Sequence, residues 1–301
     1  MTPFSADPVT VEAPATSANL GPGFDALALA LSLRDRVTMR TTGSGLQVDV
    51  EGSGADSVPR DESHLVVRAA RAAFDTMGLS QPGLALTCRN VLPHGRGLGS
   101  SAAAIVAGVV AGRALVADGS RRLDDVAALR LAAALEGHPD NVAAALLGGL
   151  TIAWDDGDGV RAARLDAVGE VVILVPPDRV STDLARALLP ATVAHADATR
   201  TAGRAALLVA ALSGRADLLL PATRDWLHQA YRAPAMPDSV ALVASLRGAG
   251  VPAVVSGAGP AVLAFATSAA SAEELAASAP PRWTAHVLAI SPVGARVRTG
   301  G

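Results

Sequence analysis

With 301 residues, half of them hydrophobic and 18% charged, the chain is long enough for one large or two ordinary domains and too apolar to stay disordered. All 25 basic residues are arginine, which excludes the lysine of a Walker-type phosphate loop, a pyridoxal phosphate Schiff base and a lysine nucleophile. The net charge of −3 gives no electrostatic reason for nucleic acid, no segment reads as a membrane span, and the first residues lack the basic-then-apolar pattern of a secretory or transit peptide, so a cytoplasmic protein acting on a small molecule is expected.

In chain order, the alternation from Val9 to Ala13 reads as a strand, and Leu27–Leu33, Val37–Arg40 and Leu46–Val50 read as three more. Helical spacing runs from His64 to Met77, and a strand from Leu84 to Cys88 leads through a glycine-rich turn to a helix from Ala102 to Val116. Cys88 is the only cysteine, so internal disulfides and zinc–thiolate clusters are excluded, and its apolar surroundings mark it as a buried filler. A helix from Asp124 to Leu135 stops at Gly137 and Pro139, and another from Val142 to Leu147 stops at Gly148 and Gly149. Val171–Val175 reads as a buried strand that opens a second unit. Helices over 182–189, 197–213, 223–230 and 238–248 follow, then strands Ala253–Val255 and Val262–Ala266 around a glycine turn, and a last strand from Trp283 to Ile290. The mixture predicts an α+β protein divided near residue 168, into residues 1–168 and 169–301.

From Pro93 to Ala104 the sequence is P-H-G-R-G-L-G-S-S-A-A-A. Three alternate glycines before a helix with almost no bulk in its first turn let a ligand approach the backbone. The free N–H groups and positive dipole end of that helix suit a phosphate, to which Ser100 or Ser101 can add a hydroxyl for phosphate or Mg²⁺. A tight turn with a serine N-cap explains the same residues, so both readings stand on the spacing alone.

GRGLGSSAAA resembles the phosphate-binding motif of the GHMP kinases, and APATSANLGPGFD (13–25) and VVSGAGPAVLAF (254–265) resemble that superfamily's other two motifs in order and spacing. The resemblance implies an ATP-dependent, Mg²⁺-dependent phosphotransferase acting on an alcohol. The implied fold is α+β, with a ribosomal-S5-like N-terminal domain and a ferredoxin-like C-terminal domain. It assigns the ATP phosphates to Pro93, Gly95, Arg96, Gly97, Leu98, Gly99, Ser100, Ser101 and Ala102. Within the superfamily, the first motif and the EGHPDN stretch (136–141) most resemble the members that phosphorylate L-homoserine; such relatives commonly form homodimers.

Homoserine carries an ammonium, a carboxylate and a primary alcohol. The resemblance puts Asn19 and Asp25 at the amino-acid site, with Asp25 on the ammonium, although an Asx-type turn would use the same pair. Thr182 and Arg186, one helical turn apart, and Arg232 before a proline-rich turn resemble the carboxylate clamp; arginines at helix ends facing water are the alternative. His228, one turn before Arg232, either supports it or faces solvent. Glu136 matches the acidic residue that holds Mg²⁺ together with Ser100 and Ser101, and His138 and Asn141 match residues beside the substrate. Structurally, Asp140 is a good N-cap for the next helix. An amide cannot be a general base, so Asn141 would orient the hydroxyl. A mevalonate- or shikimate-type kinase, or a binding protein that has lost turnover, remains the alternative.

Overall fold

The computed structural model of the chain describes residues 3–298. Two sheets carry the architecture. In the first, β1 (Val9–Ala18) runs antiparallel to β2 (Leu27–Thr42), and β3 (Leu46–Gly52) runs parallel to β4 (Gly83–Asn90) through the crossover helix α1 (Leu65–Thr76). Then come α2 (Ser100–Ala114), α3 (Gly119–Arg122), α4 (Asp125–Glu136) and α5 (Pro139–Leu147), followed by the hairpin of β5 (Leu150–Asp155) and β6 (Val160–Leu165). The residues read as two strands, 27–33 and 37–40, form the single strand β2. Opposite a bulge between Pro14 and Thr16 in β1, its pairing passes from β5 at Leu27–Leu29 to β4 at Arg36–Thr42.

The second sheet begins with β7 (Glu170–Val175). After α6 (Thr182–Ala187), α7 (His195–Leu212), α8 (Leu219–Ala222) and α9 (Pro237–Gly248) come β8 (Ala253–Val255), β9 (Val262–Phe265), α10 (Ala269–Ala277) and β10 (Thr284–Ala289). All its pairs are antiparallel, in the order β10-β7-β9-β8, which numbered from β7 is the 4-1-3-2 arrangement of a ferredoxin-like sheet. Alternate residues of β7 serve two cores: Val171, Ile173 and Val175 face the large one shared with the first sheet, and Val172 and Leu174 face a smaller one under α9 and α10. The chain then returns, because β11 (Arg296–Arg298) pairs with β1.

Alanine and glycine let α2 sit at the centre. Nearly every residue from Ala102 to Gly112 is buried, and a Cβ on Gly108 or Gly112 would press on the backbone of α1. Three features depart from the sequence reading. Residues 223–230 are turns rather than a helix, because the Asp225 carboxylate accepts the amides of Leu227, His228 and Gln229 at 2.7, 3.1 and 2.8 Å, and takes donors a growing helix would need. α5 starts at Pro139, so Asp140 lies inside its first turn and His138, not Asp140, is the N-cap residue. The elements α3, β5, β6, α8, α10 and β11 have no counterpart in the sequence reading. Among the described residues, no helix is long and apolar enough to cross a membrane.

Candidate active site

The turn from Pro93 to Gly99 ends on Gly99, which occupies the N-cap position of α2 in left-handed backbone (φ 66°) and brings no side chain to the helix start. The serine N-cap reading therefore fails: Ser100 is already helical, and no side chain caps the first amides of α2. Gly97 (φ 79°) lies so close to the Ser256 carbonyl that a Cβ has no room, while the Ser256 hydroxyl donates to the Gly97 carbonyl at 2.6 Å. Ser256 Oγ also lies 2.8 Å from Ser17 Oγ, so the 254–265 segment ties the glycine turn to β1.

α4 ends where α2 begins. Ser101 Oγ donates to Glu136 Oε1 at 2.6 Å, and burial, with the nearby Asp140 carboxylate, pushes the Glu136 carboxyl up, against the downward pull of the serine bond. Asp140 is 3% exposed and pushed up to about 6 by burial first, despite accepting the Asn141 amide at 2.7 Å. A carboxylate beside a hydroxyl, half-buried at the edge of a cleft, is an oxygen donor set that suits a hard divalent cation completing its shell with phosphate oxygens and water. Among the described residues, no three His, Cys, Asp or Glu side chains cluster as a metal cage.

A cleft of about 370 Å³ opens between this helix start and the second sheet. It gathers Gly95, Gly97, Gly99, Ser100, Ser101, Glu136, His138, Asn141, Asn19, Asp25, Thr182, Arg186 and Arg232, from segments more than 200 residues apart in sequence. Asn19 and Asp25 both take left-handed backbone (φ 66° and 54°). The Asn19 side chain holds that loop by accepting the Asp25 amide at 2.9 Å and donating to the Gly257 carbonyl at 2.9 Å. Asp25 in turn receives both Nη groups of Arg186, at 2.7 and 3.1 Å, so acid and base face each other across the cleft.

Arg232 does not face water: it is 1% exposed. Its Nε donates to the Ala185 carbonyl at 3.2 Å and its Nη1 to the Gly257 carbonyl at 3.3 Å. His228 is wholly buried and supports it, accepting from Arg232 at Nδ1 (3.1 Å) and donating from Nε2 to the Gly21 carbonyl (2.8 Å). One donor and one acceptor describe a neutral imidazole, and burial lowers the His228 pKa accordingly. The Arg186 and Arg232 guanidiniums lie 5.8 and 5.4 Å from the Phe24 ring centre.

Not every residue of the glycine segment reaches this cleft. Leu98 and Ala102 are buried in the core, and the Pro93 and Arg96 side chains line a separate cavity behind the turn. Sequence reasoning missed Thr16, whose hydroxyl donates to Asn141 Oδ1 at 2.7 Å. The Asn141 Nδ2 lies 3.4 Å from Asp140 Oδ1, so reversing the amide would set two oxygens against each other. Thr16 and Asp140 thereby fix Asn141 with its oxygen occupied. A third cavity of about 300 Å³, mostly apolar, shares Ser100 and Ser101 with the cleft and extends along α1 and α2 past Val58, His64, Val66 and Ala104.

The family model for the GHMP kinases N terminal domain matches residues 64–149, and that for GHMP kinases C terminal matches residues 207–283. The chain belongs to the GHMP kinases. This GHMP kinase is 55% identical to a homoserine kinase of Streptomyces avermitilis over 98% of its own length and 97% of the relative's. It is 50% identical to a homoserine kinase of Clavibacter michiganensis, over 96% and 94% of the two chains. The crystal structure of homoserine kinase from Cytophaga hutchinsonii superposes with a TM-score of 0.86 at 27% identity, covering 97% of this chain and 98% of that one.

Proposed function

We propose that this GHMP kinase transfers the γ-phosphoryl group of ATP to the side-chain hydroxyl of L-homoserine, giving O-phospho-L-homoserine and ADP. The observation that carries the substrate assignment is the charge arrangement at one end of the cleft, where Asp25 faces Arg186 and Arg232 beside the turn that receives phosphate. An α-amino acid exchanges the Asp25–Arg186 bridge for two: its ammonium takes Asp25 and its carboxylate the guanidiniums. A substrate without an amine would leave Asp25 without its counter-charge, which selects against mevalonate or shikimate.

The uncapped amides of Ser100, Ser101 and Ala102 and the positive end of α2 hold the phosphates, and the apolar cavity past Ser100 takes the nucleoside. Glu136, with Ser100 and Ser101, holds Mg²⁺, which when bound neutralises charge on the phosphates. Thr182 and His138 line the wall near Arg186 and complete the substrate pocket. With its oxygen taken by Thr16, Asn141 presents N–H to the acceptor oxygen and orients it without accepting its proton. Catalysis then rests on positioning and on charge stabilisation by the helix start. The enzyme works as a cytoplasmic homodimer.

Replacing Arg232 by Leu tests the clamp. The expected result is a homoserine KM raised by about 30-fold or more, as for loss of a charge-assisted hydrogen bond of about 2 kcal/mol, with the ATP KM within about twofold of the parent. Unchanged homoserine kinetics would remove Arg232 from the substrate site.

A further inference from the structure

The glycine turn has two faces. Gly95, Gly97 and Gly99 border the substrate cleft, whereas Pro93, His94 and Arg96 border a second cavity of about 290 Å³ closed on its far side by Arg179, Arg282 and His286. Three guanidiniums and two imidazoles line this cavity and no carboxylate does. Of the chain's 25 arginines, 13 are in ion pairs with carboxylates, while Arg96, Arg179 and Arg282 are in none among the described residues.

Two observations bear on the cations on the turn, Arg96 and His94, whereas Arg179 and Arg282 are exposed to solvent. Arg96 donates from Nη1 to the Pro176 carbonyl, but its Nε is buried with no hydrogen-bond partner. Burial and the neighbouring Arg179 both disfavour the charged forms of Arg96 and His94, and Asp178, outside the lining, only partly offsets this for Arg96. An anion with several acceptor oxygens in this cavity would offset the crowding of like charges around Arg96 and His94. The planar forks of arginine suit phosphate oxygens better than a single point charge would.

We propose that this cavity is a second anion site that binds a phosphate group, as inorganic phosphate or a phosphate monoester, separately from the phosphates of ATP on the opposite face of the turn. Arg96 on the turn and Arg179 and Arg282 on the second sheet's side hold it from both sides, so occupancy braces the turn against the β7 end and the segment before β10.

Calorimetric titration of the enzyme with inorganic phosphate tests this, first alone and then with the cleft filled by L-homoserine and a non-hydrolysable ATP analogue with Mg²⁺. Phosphate is expected to bind in both cases. The Arg179→Gln/Arg282→Gln variant is expected to bind it at least about tenfold more weakly, while its phosphate-free KM values for ATP and homoserine stay within about twofold, which also shows that it folds. O-Phospho-L-homoserine in place of phosphate, with the cleft filled, distinguishes a monoester ligand from the free ion. Abolition of phosphate binding by the ATP analogue, unchanged affinity in the double variant, or no binding to the parent enzyme would each overturn the second site. Turnover of homoserine without phosphate reports on the kinase reading independently.

Discussion

At the scale of single residues, side chains of the cleft are held by neighbours outside its lining. Thr16 is the sharpest case, because its hydroxyl decides which end of the Asn141 amide faces the cleft. Thr16→Val keeps the shape and removes the donor. Its kcat is expected to fall by about tenfold to a hundredfold with the homoserine KM little changed, and Thr16→Ser to restore most of the loss, because misplacing an orienting group lowers the transition state's share of binding. Equal losses in the valine and serine variants would show packing, not orientation, to be the role of Thr16. Asn19, Asp25, Glu136 and Arg186 could be expected at one site from the resemblance of their segments to family motifs, and the structure gathers them around one cleft. Thr16 was not legible, since its partner is 125 residues away and a threonine in a strand is otherwise unremarked. Asp140 was misplaced by two positions: Pro139 supplies the first helical residue after the His138 cap, which moves Asp140 from the cap into the buried first turn.

At the scale of elements, the turn before α2 shows why its glycines are not equivalent. Gly95 (φ 66°) and Gly97 (φ 79°) share left-handed backbone, but a side chain at Gly95 meets only the methylenes of Arg179 at ordinary contact, whereas at Gly97 it collides with the Ser256 carbonyl. Gly95→Ala is expected to cost about 1 kcal/mol, the strain alone, and Gly97→Ala at least about twice that, because the 254–265 segment must also shift. Chemical denaturation of the two variants compares them directly; equal losses would mean the two segments do not constrain each other. The helices around the turn were readable because their periodicity is strong and their stops are glycine and proline. Strand β11, with three residues, and the β5–β6 hairpin were not, since so short or half-exposed a strand leaves little alternation to read. The stretch 223–230 has helical spacing, but a single carboxylate, Asp225, redirects its amides.

At the scale of the whole molecule, the two sheets share one core, and a buried acid at its edge weighs on its stability. Asp35, 5% exposed, accepts the amides of Val91 and Leu92 just before the glycine turn, yet burial pushes its carboxyl up from 3.8 to about 6. Between those values the folded state holds a proton that the unfolded chain has released, so this residue's contribution to stability falls as pH rises through that window and stays low above it. Ionising a carboxyl held that far above its free value costs about 3 kcal/mol. Asp35→Asn has no such titration, and its stability relative to the parent is expected to improve by about that amount between pH 4 and pH 7; a difference independent of pH would show that Asp35 does not titrate in this way. The α+β class was legible from the chain order of strands and helices and the ferredoxin-like second sheet only through the family resemblance, while the return of the C-terminal strand to the first sheet was not legible at all. The substrate assignment is tested most directly by ADP release from the purified enzyme with ATP and Mg²⁺, offering L-homoserine, mevalonate, shikimate and galactose in parallel. Turnover with homoserine alone is predicted from the opposed charges of Asp25 and the two arginines, whereas turnover with another of these alcohols in its place, or with none, would contradict it.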